Sequence, residues 1–497
     1  MRSTGPAGRA AGWLAAWGWY GLAGLACLAL LAINDGPLFY FDTGGYLAQG
    51  RSMFNVLGLL PGSSTAPGAA ETAHAISADG TVVASRSATY ALFLMGLYQT
   101  LGLGAVPMVQ SALLILSVYL AVRVIARLHA PGLDVPRTTA LAVLAGCLGA
   151  APFYTAYLMP DIFAPVLILS AALLAVAAPA LRGWELLLTL GLGIFAVTTH
   201  PSHAGIATLM VPAAAVLGAL FRIRRFWIGV ALIALIALAA AAERAAFSLT
   251  VKSVARADVT YKPFLTARLI EDGPGWAYLT ETCPDPGLES CALREAIDGQ
   301  PQRMYASDIL YSTDEAHGSL ARMPLEQQKR IAAEQARFAE LVVKSHPFGV
   351  AAAVLRNSAR QLVHISVAMT LPVDEMGARV AALTGYLPAA LAHARLTEIP
   401  AWLGWLDAAH GALYLASAAA LAALTALPGS ALPAALRVLA LMVVAGIVAN
   451  AGICGALSQP ADRYGARVLF LLPLTAALLW IVSRRRRVVD AFGSREG

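Results

Sequence analysis

Long apolar runs separated by short polar connections dominate this chain. Ten of them are on the order of 20 residues long, the length at which an α-helix spans the hydrocarbon core of a bilayer. The runs cover residues 13–33, 106–128, 138–157, 162–181, 184–199, 203–220, 226–242, 403–427, 436–457 and 468–482. This pattern predicts a mainly α fold, a polytopic membrane helical bundle of about ten transmembrane helices.

Two longer polar stretches interrupt the apolar runs, at residues 34–105 and 243–402. Loops of this length are usually functional or fold separately. We therefore expect an N-terminal membrane module, 1–242, whose large first outer loop is 34–105. A mixed outer-face domain, 243–402, follows it, and residues 403–497 form the C-terminal transmembrane helices and a basic tail.

The arginines indicate how the spans are oriented. They gather in short connections between runs and in the tail at Arg484 to Arg487, and cytoplasmic loops carry such an excess. Both termini are then cytoplasmic and both long polar stretches lie outside, provided that the weaker apolar segments 88–101 and 347–371 stay at the outer surface. We expect a bacterial inner-membrane protein whose site faces the periplasm or cell exterior.

The amino-acid composition is that of a membrane protein and argues against a soluble enzyme or a nucleic-acid-binding protein. Hydrophobic residues make up 58% of the chain and charged residues only 13%, about half the usual share of a soluble domain. The net charge of +6 follows from the arginines at span ends, so nucleic acid is not an expected partner. There is no P-loop and no dinucleotide or Gly-x-Ser-x-Gly motif. Cys283 and Cys291 lie in the polar outer stretch, where a disulfide is expected.

Two aspartates are the first candidates for chemistry. Asp42 follows the first span, and Asp161 lies at the outer end of the third. On the predicted topology they reach the same membrane face, where an ionised carboxylate is costly without a partner or a role. They could form an acid/base site, or a metal-assisted site with Mg²⁺ or Mn²⁺ as candidate cofactor. Each could instead cap the helix that follows it.

Outer-face cations could complement these carboxylates. His200 and His203 share one turn, where they could bind a phosphate, contact a metal, transfer a proton or be structural. Arg463 and Arg467 share the last outer turn; both suit a lipid phosphate, and Arg467 could equally be a snorkelling anchor. If these cations converge, the ligand is an anion at the membrane surface. The candidate substrate-phosphate or lipid-phosphate ligands are Arg86, His200, His203, Arg268 and Arg463.

The order of these motifs resembles the GT-C superfamily of polyprenyl-phosphate-sugar-dependent membrane glycosyltransferases. The resemblance rests on Phe-Asp-Thr-Gly-Gly-Tyr at 41–46, Arg-Ser-Ala-Thr-Tyr at 86–90, Arg-Val-Ile-Ala-Arg-Leu at 123–128, Met-Pro-Asp at 159–161 and Asp-Arg-Tyr at 462–464. It covers the spans up to residue 220 and the last span. It implies that Asp42 is the catalytic carboxylate and that Asp161 is a second acidic residue, which in some members coordinates a metal.

The sequence therefore predicts an integral-membrane glycosyltransferase. Its partners would be a polyprenyl-linked sugar donor, a glycan, lipid or protein acceptor, and membrane lipids. Asp42 would take the acceptor's proton, with a pKa raised by partial burial, and Arg463 would stabilise the leaving phosphate. A transporter or lipid flippase with a structural outer domain is the alternative, although its charged residues would more often lie at mid-membrane. A non-catalytic membrane assembly protein is a third.

Overall fold

The computed structural model describes residues 6–59, 81–84, 86–300, 305–385, 387–427 and 432–493. Part of the predicted first outer loop and the end of the basic tail lie outside these residues. The fold is mainly helical, as the apolar runs predict.

Eleven α-helices form the described part of the N-terminal module. They are α1 Pro6–Cys27, α2 Ala29–Ile33, α3 Phe41–Val56, α4 Ala88–Leu101, α5 Ala105–His129, α6 Val135–Cys147, α7 Ala151–Ala156, α8 Phe163–Ala177, α9 Gly183–Thr198, α10 Pro201–Leu220 and α11 Phe226–Thr250. Helix α11 extends past residue 242, so the predicted domain boundary falls inside a helix.

The polar middle region is built from eight α-helices in its described residues. They are α12 Phe264–Asp272, α13 Pro274–Thr282, α14 Cys291–Ile297, α15 Ala306–Tyr311, α16 Leu325–Ser345, α17 Pro347–Leu362, α18 Asp374–Thr384 and α19 Ala389–Ala392. Within the described residues, its only named strand is β2, Asp258–Tyr261, which pairs in parallel with β1, Thr81–Ala84, from the first outer loop. The structure has the disulfide between Cys283 and Cys291 that the sequence predicts.

The C-terminal module consists of four helices in the described residues. They are α20 Leu403–Ala426, α21 Ala434–Leu457, α22 Asp462–Leu469 and α23 Leu471–Gly493. Helices α22 and α23 follow each other closely enough to act as one membrane-length element.

In the part of the chain described, seven elements are long and apolar enough to cross a membrane, which is the architecture of an integral membrane protein. They are Ala105–His129, Pro160–Ala180, Pro201–Leu220, Phe226–Val254, Leu403–Ala426, Ala434–Leu457 and Asp462–Arg487. An eighth would be the pair α16 and α17, but these helices meet at 105°. Three predicted runs correspond to α1, to the broken pair α6 and α7, and to the 16-residue α9.

Two apolar cores divide the middle region. Residues 265–350 pack around their own core, with Phe338 and Leu279 at its centre. Residues 365–396 instead join the large core of the membrane helices, where α18 packs on α3: Gly44 lies against Val380 and Leu383. The middle region is therefore partly a separate unit and partly a cover over the start of the first loop.

The two ends of the helix bundle hold different groups of contacts. At one end, Arg127 donates to Glu185 (2.5 Å) and to the carbonyl of Ala180 (3.1 Å), and Arg486 donates to the carbonyl of His129 (2.7 Å). The predicted cytoplasmic connections around Arg127, Ala180 and Arg486 therefore meet at this end. The starts of α8, α10 and α22 lie at the other end, together with the candidate site.

Candidate functional site

A short backbone pairing brings the two predicted aspartates together. The amide of Leu38 donates to the carbonyl of Ala156 (2.9 Å), and the amide of Leu158 donates to the carbonyl of Leu38 (2.7 Å). Asp42 and Asp161 follow this pairing by only a few residues on each chain segment, so both carboxylates arrive at one place.

Thr43 fixes the start of α3 at this position. Its hydroxyl accepts from the amide of Tyr40 (3.0 Å) and donates to the carbonyl of Leu158 (3.2 Å). Thr43 is the third residue of the helix, and its hydroxyl satisfies the amide of Tyr40, the residue that precedes the helix. Asp42 lies inside the first turn, with its carboxylate turned to two arginines, so the alternative reading of Asp42 as a simple helix cap is wrong.

Arg463, in the first turn of α22, joins the two carboxylates. Its Nε lies 3.1 Å from each carboxylate oxygen of Asp161, and its Nη2 lies 2.9 Å from Oδ2. Its Nη1 donates to Oδ2 of Asp42 at 3.2 Å. The guanidinium is a planar fork of donors, and here it serves one buried and one partly exposed anion.

Arg467 lies one helical turn further and completes the buried side of the cluster. Its Nη1 donates to Oδ1 of Asp161 (3.2 Å), and its Nη2 donates to Asn450 (2.8 Å) and Ser202 (3.0 Å). Both Asp161 and Arg467 are fully buried. Arg467 is thus part of the cluster, so its alternative as a snorkelling anchor is wrong.

Three tyrosine rings surround the guanidinium of Arg463. Its Cζ lies 5.1 Å from the ring centre of Tyr40, 5.9 Å from that of Tyr157 and 5.4 Å from that of Tyr464. Cation–π contacts of this kind stabilise a guanidinium removed from water. They also fix its plane, so that Arg463 presents its remaining edge to Asp42.

Arg86 approaches Asp42 from the predicted first outer loop. Its Nη2 donates to Oδ1 of Asp42 at 2.7 Å. The guanidinium lies against α3 at Gly45, where an added Cβ atom would overlap it and force it to shift. Asp42 keeps 39% of its side-chain surface exposed, against 4% for Arg463. Asp42 is therefore the acidic group of the cluster that a ligand can reach.

The pKa of Asp42 differs from the sequence prediction. Burial raises it, but the positive charges of Arg86 and Arg463 outweigh burial, and the pKa of Asp42 lies below its ordinary value. The predicted raised pKa is wrong for the protein without a ligand, because the two arginines favour the ionised form. Asp42 is an anion across the physiological pH range.

The arrangement of the two carboxylates does not fit a divalent metal, the alternative considered for Asp42 and Asp161. Guanidinium groups occupy both oxygens of Asp161, and Arg463 lies between Asp161 and Asp42. Divalent metals need oxygen atoms turned toward a common centre, whereas here N–H donors fill that centre. Among the residues described, no three His, Cys, Asp or Glu side chains are placed to hold a metal.

The two histidines lie beside the cluster in structural positions. His200 caps α10, where its Nδ1 accepts from the amide of Ser202 (3.2 Å), and burial together with the charge of Arg467 lowers the pKa of His200 to about 3. His203 is fully buried, with Nδ1 2.8 Å from the carbonyl of Ala196. A neutral capping histidine and a buried one give the cluster no further positive charge.

Arg268 lies away from the cluster. Its guanidinium donates to Glu271 (2.7 Å) and to Asp272 (2.6 Å) in its own helix. Asn357 also donates to Asp272 at 2.7 Å, which ties α12 to α17. Arg268 therefore organises the middle region, and the structure does not bring it to the predicted phosphate site.

Several residues of the cluster were not singled out from the sequence. Asn450 is in the middle of an apolar run, yet it accepts from Arg467 and donates to the carbonyl of Tyr464 (2.7 Å). A polar amide inside a predicted span is a signal that could have identified it. Tyr40 and Tyr157 carry no such signal, because aromatic residues are common at membrane interfaces.

Comparisons with family models, with curated proteins and with solved structures found no match for this chain.

Proposed function

We propose that this chain is an integral-membrane glycosyltransferase that moves a sugar from a polyprenyl-phosphate donor to an acceptor on the outer face. One observation carries the proposal: a partly exposed carboxylate, Asp42, is held between Arg86 and Arg463 at the end of the bundle opposite the arginine-rich connections. An accepting carboxylate next to phosphate-binding guanidinium groups is what transfer from a sugar phosphate requires.

The proposed step is a single displacement. The acceptor hydroxyl attacks the anomeric carbon of the sugar while the bond between that carbon and the phosphate oxygen breaks. The leaving phosphate takes the bonding electron pair, and Asp42 takes the hydroxyl proton. Arg86 and Arg463 stabilise the charge that develops on the phosphate.

The low pKa of Asp42 makes it a weak base in the protein without a ligand, and donor binding would strengthen it. A bound phosphate competes for the N–H groups of Arg86 and Arg463, and its negative charge lies beside the carboxylate. Both effects disfavour the ionised form of Asp42 and raise its pKa. Asp42 becomes a better proton acceptor when the donor is in place.

Asp161 and Arg467 have a positioning role in this proposal. Asp161 holds Arg463 by both carboxylate oxygens and has no exposed surface. It cannot touch a substrate without the loss of those bonds. Its effect on transfer acts through the orientation of Arg463.

The test is the substitution Asp42→Asn, with Asp35→Asn as the matched control. Both aspartates lie in the first loop, but Asp35 forms an exposed ion pair with Arg395. Outer-face glycans are measured by mass spectrometry in cells that lack the native protein and carry each variant at equal membrane levels. We expect Asp42→Asn to lower product formation by about 10²-fold or more, and Asp35→Asn to leave it near wild type.

Two results would contradict the proposal. Near-normal product from Asp42→Asn would remove Asp42 as the base. Glycans unchanged by loss of the whole protein would remove the glycosyltransferase function, and lipid movement across reconstituted vesicles without sugar transfer would favour a flippase instead.

A further inference from the structure

The paired strands bring a second cation from the middle region toward Asp42. Strands β1 and β2 are parallel, with Ala84 opposite Tyr261. Parallel strands end at the same edge of a sheet, so the chain leaves both strands on one side. Arg86 follows on the first strand and Lys262 on the second.

Lys262 and Tyr311 lie together at this edge. The ammonium of Lys262 donates to the carbonyl of Leu310 (2.8 Å) and lies 4.0 Å from the ring centre of Tyr311. Burial, together with the smaller effect of the charge of Arg86, lowers the pKa of Lys262 to about 8. Burial raises the pKa of Tyr311 above its ordinary value, and the charge of Asp42 adds to the increase. Lys262 and Tyr311 therefore lie close enough to the ion pair of Asp42 and Arg86 for its charges to affect them.

The charge around Lys262 is not balanced by the protein. Within the described ranges, no carboxylate forms an ion pair with Lys262, whereas the like charge of Arg86 acts on it. A half-buried ammonium beside another cation is unfavourable unless an anion joins them. Tyr311, whose surface is 45% exposed, offers a neutral hydroxyl donor in the same place.

We propose that Lys262 and Tyr311 of the middle region, together with Arg86, bind the phosphate group of the lipid-linked donor. This inference rests on the proposed function for the identity of the ligand. It makes the middle region part of the binding site, since β2 and α15 would contribute directly to phosphate recognition. Phosphate binding would in turn hold β2 and α15 against the first outer loop.

The test measures binding without sugar transfer. The probe is farnesyl phosphate, a short soluble polyprenyl phosphate, titrated calorimetrically into the full chain in detergent between pH 7 and pH 9. Inorganic phosphate is the second probe, and it separates recognition of the phosphate group from recognition of the lipid. The variants are Lys262→Met and Lys262→Arg. Lys344→Met is the control, because Lys344 is an exposed lysine of the same region.

We expect Lys262→Met to weaken binding of farnesyl phosphate by about tenfold or more at pH 7, as the loss of one charged hydrogen bond implies. Wild-type binding should weaken as the pH rises through about 8, where Lys262 loses its proton. The facing groups keep their charge over this range: Arg86 stays positive, Tyr311 stays neutral and Asp42 stays negative. Lys262→Arg should bind at pH 7 and lose the alkaline weakening.

Equal binding by wild type and Lys262→Met would overturn the inference, as would an alkaline weakening that persists in Lys262→Arg. A Lys344→Met variant as weak as Lys262→Met would also overturn it. The outcome is separate from that of the proposed function. Binding that depends on Lys262 would stand even if Asp42→Asn left glycan formation unchanged.

Discussion

Asp161→Asn should destabilise the protein through the two arginines that it holds. Asp161 is fully buried and accepts from both Arg463 and Arg467. Asparagine keeps the shape but removes the charge, and its amide donors then face guanidinium donors. Removal of one partner of a buried ion pair costs about 3–5 kcal/mol. We take the lower end, about 3 kcal/mol, because Asp42 still faces Arg463.

The expected change in unfolding temperature follows from the size of the chain. The entropy of unfolding is about 2 cal/mol/K per residue, which gives about 1 kcal/mol/K for this chain if it unfolds as one unit. A loss of about 3 kcal/mol therefore lowers Tm by about 3 °C. Asp35→Asn removes only an exposed ion pair and should change Tm by less than about 1 °C.

The assay is thermal unfolding in detergent at one fixed scan rate, because membrane proteins often unfold irreversibly. Adding Arg467→Met to Asp161→Asn removes the cation that has lost its carboxylate partner and should recover part of the loss. A double-mutant cycle with the single Arg467→Met variant should give a coupling of about 0.5–3 kcal/mol. If Asp161→Asn unfolds within about 1 °C of wild type, as expected for an exposed pair, this account of the cluster is wrong.

Two further predictions concern packing and topology. Gly455→Ala should lower Tm, because the added Cβ atom would lie 2.7 Å from a backbone oxygen of α17. The control is Gly452→Ala in the same helix, whose Cβ atom meets no atom within 4 Å and which should leave Tm unchanged or raise it. Equal Tm values for the two variants would contradict this prediction. Reporter fusions at Arg225 and Gly497 should read cytoplasmic and one at Gly318 external, and an external signal at Gly497 would overturn the predicted topology.

One predicted span, 138–157, is broken in the structure. The run 138–157 is mostly apolar, yet the helix stops at Cys147. Tyr414 of α20 packs against Gly149, and its hydroxyl accepts from the amide of Ala150 at 3.0 Å. That contact joins residues 264 positions apart. The run itself carries one local signal: Pro152 cannot continue a helix through Leu148, and it lies in the first turn of α7.

The sequence predicted which residues meet at the candidate site better than it predicted their ionisation. Asp42, Asp161 and Arg463 each follow the end of a span, so the topology alone predicts a shared face. The pKa of Asp42 was not predictable, because the arginines that lower it come from 44 and 421 positions away. The position of Arg268 could have been predicted, because acidic residues three and four positions later favour ion pairs within its own helix.

Asp161 is synthesised well before Arg463, the residue with which it forms a buried ion pair. The two residues are 302 positions apart, so at about 5–20 residues per second Asp161 waits roughly 15–60 s for its partner. During that interval its helix carries an uncompensated carboxylate, and α8 is poorly suited to settle in the bilayer. Arrival of the last span supplies Arg463 and Arg467 together. A nascent chain released before that point lacks both arginines, so the carboxylate of Asp161 at the start of α8 stays unpaired.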